Sequence, residues 1–228
     1  MIDAILSSPF FALTLTCLAW AAGVWLQKKT GMILCNPVIV ATVLIILFLV
    51  IFQVPYSTYS AGSSYISMML GPVTAVLALN IYNQRKLLGK YFIPVVVGCL
   101  AGSLTSVGSI LLLCKLMSVD SAITASLLPK SVTTAIALAV SESRGGIAGV
   151  TMAAVLIAGS IGAIFAPLMA KCFRIKDPVA EGIAIGACSH ALGTTKALEI
   201  GQLQGAMSSI AICICGILTS VLVLFIPA

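Results

Sequence analysis

Apolar segments long enough to cross a bilayer follow one another along almost the whole chain. They occupy approximately residues 5–26, 32–53, 59–82, 91–114, 121–140, 145–169, 178–202 and 206–226. A helix needs about 20 apolar residues to span the hydrocarbon core of a membrane. A mean hydropathy of +1.20 with only 8% charged residues excludes an ordinary soluble domain. The sequence therefore predicts an all-α polytopic membrane protein, with residues 1–228 forming a single integral membrane domain.

The composition argues against several functional classes. Twelve basic residues stand against six acidic ones, but they lie at the ends of apolar segments without interleaved aromatic residues, which is typical of topology signals. The eight cysteines fall almost entirely within apolar segments, where thiols behave as small hydrophobes. The chain has no Gly-rich phosphate loop, HExxH or CxxC motif. We therefore expect no enzyme, cofactor, metal site or nucleic-acid partner, and we expect a multi-pass protein among the lipids of the cell (inner or plasma) membrane.

The most polar interruption of the apolar pattern is residues 186–201, GACSHALGTTKALEIG. It contains the only histidine, His190, and also Lys196, at a depth where polar groups are costly and usually functional. Gly193, which two threonines follow, predicts two half-helices that meet near this glycine. The second half-helix would begin at about Thr194, where its free N–H groups and dipole would attract an anion.

The same residues also allow a purely structural interpretation. His190 could be a buried and hydrogen-bonded core residue, Lys196 could extend to the membrane interface, and Gly193 could serve helix packing. Glu199 lies about one turn after Lys196, where a simple helix ion pair is an equally good expectation. Both interpretations stay open on sequence grounds.

Two other apolar segments are interrupted in a similar way. Leu70-Gly71-Pro72 breaks the third segment, with Gly71 suited to an N-cap and Pro72 to the first helical position. Pro129-Lys130 breaks the fifth segment, and hydroxyl residues follow it. The eight apolar segments divide into two halves of four, and the Leu-Gly breaks at Gly71 and Gly193 each fall in the third segment of their half. Residues 1–115 and 119–228 are therefore candidate inverted repeats, a pattern that points to a transporter binding site.

Two clusters of basic residues constrain the topology. They lie at residues 85–90 and 171–176, and such loops normally face the cytoplasm. If all eight segments crossed the membrane, these two loops would lie on opposite sides. The fifth segment is the best candidate for a re-entrant pair of half-helices, because Pro129 and Lys130 lie at its midpoint. We therefore expect inverted repeats whose broken or re-entrant helices meet at mid-membrane.

The three half-helix starts, near Pro72, Ser131 and Thr194, predict a cavity of positive potential. Such a cavity fits a carboxylate of two or three carbons, whose hydroxyl or keto group Ser and Thr can hydrogen-bond. His190 could carry a proton with the substrate, because imidazole titrates near physiological pH. The predicted substrate-binding residues are Gly71, Pro72, Thr74, Lys130, Ser131, Thr133, Thr134, His190, Gly193, Thr194, Thr195 and Lys196.

Around these residues the chain resembles the LrgB/CidB family. The resemblance is carried by Pro129-Lys130-Ser131-Val132-Thr133-Thr134, by Gly145-Gly146, and by His190 with Gly193-Thr194. It extends from Asn36-Pro37 through Leu70-Gly71-Pro72 to Gly205-Ala206 and Gly216. The chain departs from the family pattern at Ala135, where proline is expected, and at Lys196, where relatives more often have a small residue.

This resemblance implies two different functions. The family has been described as antiholin-like and tied to murein hydrolase regulation and cell lysis, whereas similar proteins act as pyruvate transporters and plastid glycolate/glycerate translocators. It also implies a small LrgA/CidA-type membrane subunit as a partner. We favour a secondary transporter of small monocarboxylates, proton-coupled and acting with such a subunit. An antiholin-like regulator without transport of its own is the alternative, a passive channel is a third hypothesis, and homo-oligomerisation stays open.

Overall fold

The computed structural model describes residues 8–31 and 37–226, which are helical and contain no strand. Residues up to Val73 form one compact unit, and residues from Thr74 onward form another. Within the described residues, four helices are long and apolar enough to cross a membrane: Pro9–Thr30, Phe92–Leu116, Ala148–Cys172 and Gln202–Leu224. The predicted all-α polytopic class is confirmed.

The first unit is built around α1 (Pro9–Thr30), which packs against α2 (Pro37–Ile51) and α3 (Tyr56–Ser67). The hydroxyls of Thr16 and Tyr59 join α1 to α3 at 2.8 Å. The rings of Phe11 and Phe48 join α1 to α2, with centroids 5.8 Å apart. Small residues such as Ala12 and Ala19 are buried along α1, so its neighbours approach closely.

The predicted interruption of the third apolar segment is present. After α3 ends at Ser67, α4 (Leu70–Asn83) begins, with Pro72 in its first turn. Proline is tolerated there because N–H groups of the first turn have no acceptor within the helix. The boundary between the two units falls within α4. The candidate repeats 1–115 and 119–228 relate segments of different units, so that proposed pairing stays a prediction.

The second unit contains seven helices within the described residues. They are α5 (Arg85–Lys90), α6 (Phe92–Leu116), α7 (Ser121–Leu127), α8 (Thr134–Glu142), α9 (Ala148–Cys172), α10 (Pro178–Ile200) and α11 (Gln202–Leu224). The long helices α6, α9 and α11 have 25, 25 and 23 residues, which makes each about 35 Å long. The element α10 packs against all three.

The fifth segment, α7 with α8, folds back on itself as a hairpin, which we call the first hairpin (residues 121–142). Its starting residue Ser121 and the following Arg144 line the same cavity as Lys115, at the C-terminal end of α6. The backbone N–H of Ile147 donates to Ser126 Oγ at 2.7 Å. Both ends of the element therefore lie at one end of the unit, as the re-entrant prediction requires.

The seventh segment, α10, also folds back, and we call it the second hairpin (residues 178–200). A Cβ at Gly193 would lie 3.2 Å from the carbonyl oxygen of Ile185, although eight residues of straight helix would separate them by about 12 Å. Gly186 and Thr194 both contact Ser208 of α11. The chain reverses at His190, whose φ of 39° and ψ of −136° are non-helical.

The expected position of this break was therefore wrong by three residues. Gly193 is helical, and its missing side chain lets the second arm lie against Ser189 and Ile185 of the first arm. Tertiary hydrogen bonds, described below, hold a histidine in the left-handed region where glycine would be preferred. The two half-helices do not continue one another but run side by side.

The two hairpins enter the second unit from opposite ends. Asp177 and Tyr91 line one cavity, and Glu181, Lys171 and Ile200 line another, so the start of α6, the end of α9 and both ends of the second hairpin lie together. We call this the basic end. The first hairpin enters from the opposite end, where α6 and α11 finish. Both clusters of basic residues flank the basic end and therefore lie on the same side, as expected if the fifth segment is re-entrant.

Candidate functional site

Lys130 lies at the tip of the first hairpin. Its Nζ donates to Ser131 Oγ at 3.2 Å and to Ser106 Oγ at 3.4 Å, and Ser106 also donates to Ser131 at 2.9 Å. Ser106 lies near the middle of α6. No carboxylate of the described residues pairs with Lys130, so its charge is met by hydroxyls alone. A cation in such surroundings can accept an anion as a stronger partner.

The N-terminus of α8 adds further hydrogen-bonding capacity beside Lys130. Thr133 occupies the N-cap position without a side-chain capping bond. Its buried Oγ1 has no hydrogen-bond partner among the described residues. The free N–H groups of the first turn and this unpartnered hydroxyl follow directly after Lys130 and Ser131, so the hairpin tip presents several donors together.

His190 forms the tip of the second hairpin and is buried, with 4% of its surface exposed. Its Nε2 is 2.9 Å from the carbonyl oxygen of Val155 in α9. Because a carbonyl only accepts, Nε2 carries a proton and donates. A side chain at Gly159, one turn further along α9, would overlap the imidazole ring. The glycine therefore makes room for the histidine in this helix packing.

Thr194 secures the reversal at His190. Its hydroxyl donates to the His190 carbonyl at 3.0 Å and lies 2.6 Å from Ser208 Oγ of α11. Since a threonine hydroxyl has one hydrogen, Ser208 must be the donor in the second bond. Thr194 is therefore a buried link between the strained turn and α11. This arrangement matches the structural interpretation of His190 and gives Thr194 a positioning role.

Both hairpin tips pack near the middle of the long helices. Ser106 of α6 donates to Ser131 at the first tip, and a side chain at Gly102, one turn earlier in α6, would lie 3.1 Å from Ala187 of the second hairpin. Gly159 of α9 faces His190, and Cys188 lies two residues before that histidine. Ser106 and Cys188 gave no signal in the sequence, because each lies inside an ordinary helical pattern and its position depends on tertiary packing.

The remaining predicted residues are distributed differently. Lys196 makes an ion pair with Glu199 at 2.8 Å, so the helix ion pair is present in the structure. Thr195 is exposed, and its hydroxyl donates to the Ala191 carbonyl. Thr134 is the first residue of α8. Gly71 and Pro72 are exposed in the first unit, and the side chain of Thr74 lies outside the described residues.

Comparison with known proteins identifies relatives of this chain. "Antiholin-like protein LrgB" of Bacillus subtilis (strain 168) is 39% identical over 221 residues, which cover 96% of this chain and 94% of that protein. "Uncharacterized protein YxaC" of the same organism is 38% identical over 206 residues and 90% of each chain. "Antiholin-like protein LrgB" of Bacillus mycoides (strain KBAB4) is 36% identical over 222 residues and 96% of each.

No solved structure matches the chain. The family model described as the LrgB-like family matches residues 16–228. This match covers the two hairpins, the long helices of the second unit and most of the first unit. The chain therefore belongs to the LrgB-like family and is a multi-pass membrane protein.

Proposed function

We propose that this chain is a secondary transporter of small monocarboxylates, of the pyruvate, glycolate or glycerate type, and that it catalyses no reaction. The position of Lys130 carries this proposal. Hydroxyl groups hold the Lys130 ammonium at the tip of the first hairpin, beside the middle of α6, a helix that can span the membrane. A purely structural bundle has no need for lysine at such a depth, where its insertion is costly.

The donors at the first tip suit a carboxylate with a neighbouring oxygen. The Lys130 ammonium and the N-terminal N–H groups of α8 would bind the carboxylate. The hydroxyls of Ser106, Ser131 and Thr133 would hydrogen-bond the keto or hydroxyl oxygen of the substrate. Larger amphiphilic substrates would need more aromatic lining than these residues provide.

Proton coupling is a further part of the proposal. His190 donates from Nε2 to the Val155 carbonyl, which leaves Nδ1 as the ring nitrogen that can take up or release a proton. Nδ1 could therefore exchange a proton without losing the bond that orients the ring. We also propose that the protein works in the cell membrane together with an LrgA-type subunit.

Uptake into proteoliposomes tests this function. Radiolabelled pyruvate, glycolate and glycerate would be offered to vesicles that contain this chain alone or with an LrgA-type subunit, with and without a pH gradient. We expect saturable uptake that the gradient stimulates. Lys130→Ala should reduce uptake at least tenfold while membrane insertion stays normal, and Lys171→Ala at the basic end is the matched control. Absence of uptake under all conditions would overturn the proposal.

An antiholin-like role is the second candidate, and the names of the relatives favour it directly. In this role the chain would restrain a holin-like partner and thereby murein hydrolase activity, without transporting anything. Lysis rates of cells with and without the chain would be measured alongside uptake. Normal control of lysis by Lys130→Ala, with no uptake by the unsubstituted chain, would favour this second role.

A further inference from the structure

Two parts of the second unit follow one structural plan in opposite directions. The helices α6 and α9 each have 25 residues, and each is followed by a hairpin that enters from the end where that helix finishes. Both helices end in the same cap. Ser118 and Arg174, two residues beyond them, have φ values of 51° and 53°.

Further details of the two parts agree. The N–H groups of Val119 and Ile175 both reach back to the fifth preceding carbonyl at 2.9 Å. Asp120 and Asp177 then cap the first arm of each hairpin with their side chains. A Thr-Thr pair follows each reversal, at residues 133–134 and 194–195. Residues 92–142 and 148–200 therefore show the same local features in the same order but run in opposite directions through the second unit, and we call them the first and the second copy.

Each copy has a cavity between its long helix and the first arm of its hairpin. The cavity of the first copy has a volume of about 640 Å³ and extends from Ser118 and Ser121 to Leu128, next to the tip. The cavity of the second copy has a volume of about 500 Å³ and extends from Ile175 and Glu181 to Ser189. Each cavity thus begins at one end of the unit and approaches the tips from that side.

The linings of the two cavities differ in charge. Lys115 and Arg144 line the larger cavity together with the hydroxyl residues Ser118, Ser121 and Thr124, and no acidic residue lines it within the described part of the chain. The Arg144 guanidinium donates to the Ile226 carbonyl, which keeps its charge at the cavity wall. The smaller cavity is mainly apolar, and Glu181 is the one charged residue that lines it in the described part of the chain.

We propose that the larger cavity is a vestibule that concentrates small anions before they reach the first hairpin tip. Lys115 and Arg144 attract the anion, and Leu128 lies two residues from Lys130. A cleft lined by charge of one sign raises the local concentration of its counter-ion. The onward step to Lys130 rests on the proposed transport function, but attraction of anions into the cavity does not.

Charge-selective modification of a cysteine tests the vestibule directly. Thr124→Cys, which lines the cavity, would be introduced after Cys17, Cys35, Cys172 and Cys188, and Cys114 of the same cavity, are replaced by serine, and Ser121→Cys serves as a second reporter. The reagents are methanethiosulfonates that carry either a sulfonate or a trimethylammonium group. The measured quantity is the ratio of their reaction rates in phosphatidylcholine vesicles.

We expect Lys115→Gln to lower the sulfonate-to-ammonium rate ratio about threefold, and high salt to lower it as well. Lys171→Gln at the basic end is the control and should leave the ratio unchanged. An unchanged ratio in Lys115→Gln at both reporter positions would overturn the proposal. A charge preference that disappears when phosphatidylglycerol is added would also overturn the proposal, because Lys115 and Arg144 would then bind lipid phosphate.

A transport assay separates this inference from the proposed function. If the chain transports a carboxylate, Lys115→Gln should raise KM about threefold and leave the maximal rate unchanged, since capture precedes the transport step. If the unsubstituted chain transports nothing, the proposed function fails, while the rate ratios still decide whether the vestibule selects anions. Transport with an unaltered KM in Lys115→Gln would contradict the vestibule alone.

Discussion

At the scale of single residues, the second hairpin tip depends on His190. Its φ of 39° lies in the left-handed region that residues other than glycine and asparagine rarely adopt. Such a conformation costs about 1–3 kcal/mol and persists only where its surroundings enforce it. Here the ring is held by Val155 and the carbonyl by Thr194. The strained residue is thus fixed at both its side chain and its backbone.

The Thr194 hydroxyl should be essential for this turn. Thr194→Val keeps the size of the side chain but leaves the His190 carbonyl and Ser208 Oγ without their buried partner. We expect a loss of about 1–3 kcal/mol in stability and loss of uptake. Thermal unfolding in detergent measures the first effect. Thr195→Val, which removes an exposed hydroxyl, is the control, and equal melting temperatures for the two variants would contradict this role for Thr194.

The sequence revealed some of these residues and concealed others. Lys130 and His190 stood out because polar residues within apolar segments are rare, and the hydroxyls beside them followed from the same signal. Ser106 and Cys188 gave no signal, since serine and cysteine are common in membrane helices and only the fold brings them to the tips. Lys196 also stood out, but it pairs with Glu199 on its own helix.

At the scale of elements, close approach of helices determines where the second hairpin lies. Gly182 and Gly186 face α11, and side chains at either position would overlap the backbone of that helix. Gly159 and Gly162 of α9 make similar room for His190 and Ser189. Small residues at such contacts let membrane helices pack tightly without a hydrophobic driving force. The glycines therefore position the tip.

Gly159→Ala tests this packing. The added methyl group would overlap the imidazole of His190, so we expect a loss of about 1–3 kcal/mol in stability, as for other overpacked cores. Gly149→Ala in the same helix is the matched control, because nothing lies within 4 Å of the methyl position. Thermal unfolding of both variants provides the measurement. Equal stability of the two would show that α9 does not confine the tip.

Breaks in helices were predictable, whereas their geometry was not. Proline at 129 and the Leu70-Gly71-Pro72 motif mark interruptions because of local backbone chemistry, and both occur where expected. Local chemistry does not determine whether the chain continues across the membrane or folds back. For the second hairpin, contacts of Gly193 with Ile185 and of Thr194 with Ser208 decide that question. The first contact joins residues that a straight helix would hold far apart, and the second fixes the returning arm against α11.

At the scale of the whole molecule, the second unit has three long helices and two hairpins that enter from opposite ends. The two basic clusters lie on the same side only if the number of membrane crossings between them is even. This condition predicted one re-entrant element between them, and the first hairpin is such an element. The second hairpin follows both clusters in the chain, so neither cluster would change sides whether this element crossed the membrane or turned back. Parity alone therefore could not detect it. From the positive-inside rule we expect the basic end to face the cytoplasm and the proposed vestibule to open on the outer side.

The sidedness of four single cysteines tests this architecture most directly. They would replace the exposed residues Ser118, Ser143, Lys176 and Gln202, which flank the two hairpins, after the native exposed cysteines are replaced by serine. An impermeant thiol reagent would be added to intact cells and to permeabilised cells. We predict labelling at 118 and 143 in intact cells, and at 176 and 202 only after permeabilisation. Labelling of 176 and 202 from opposite sides, or of 118 and 143 from opposite sides, would contradict the opposed hairpins.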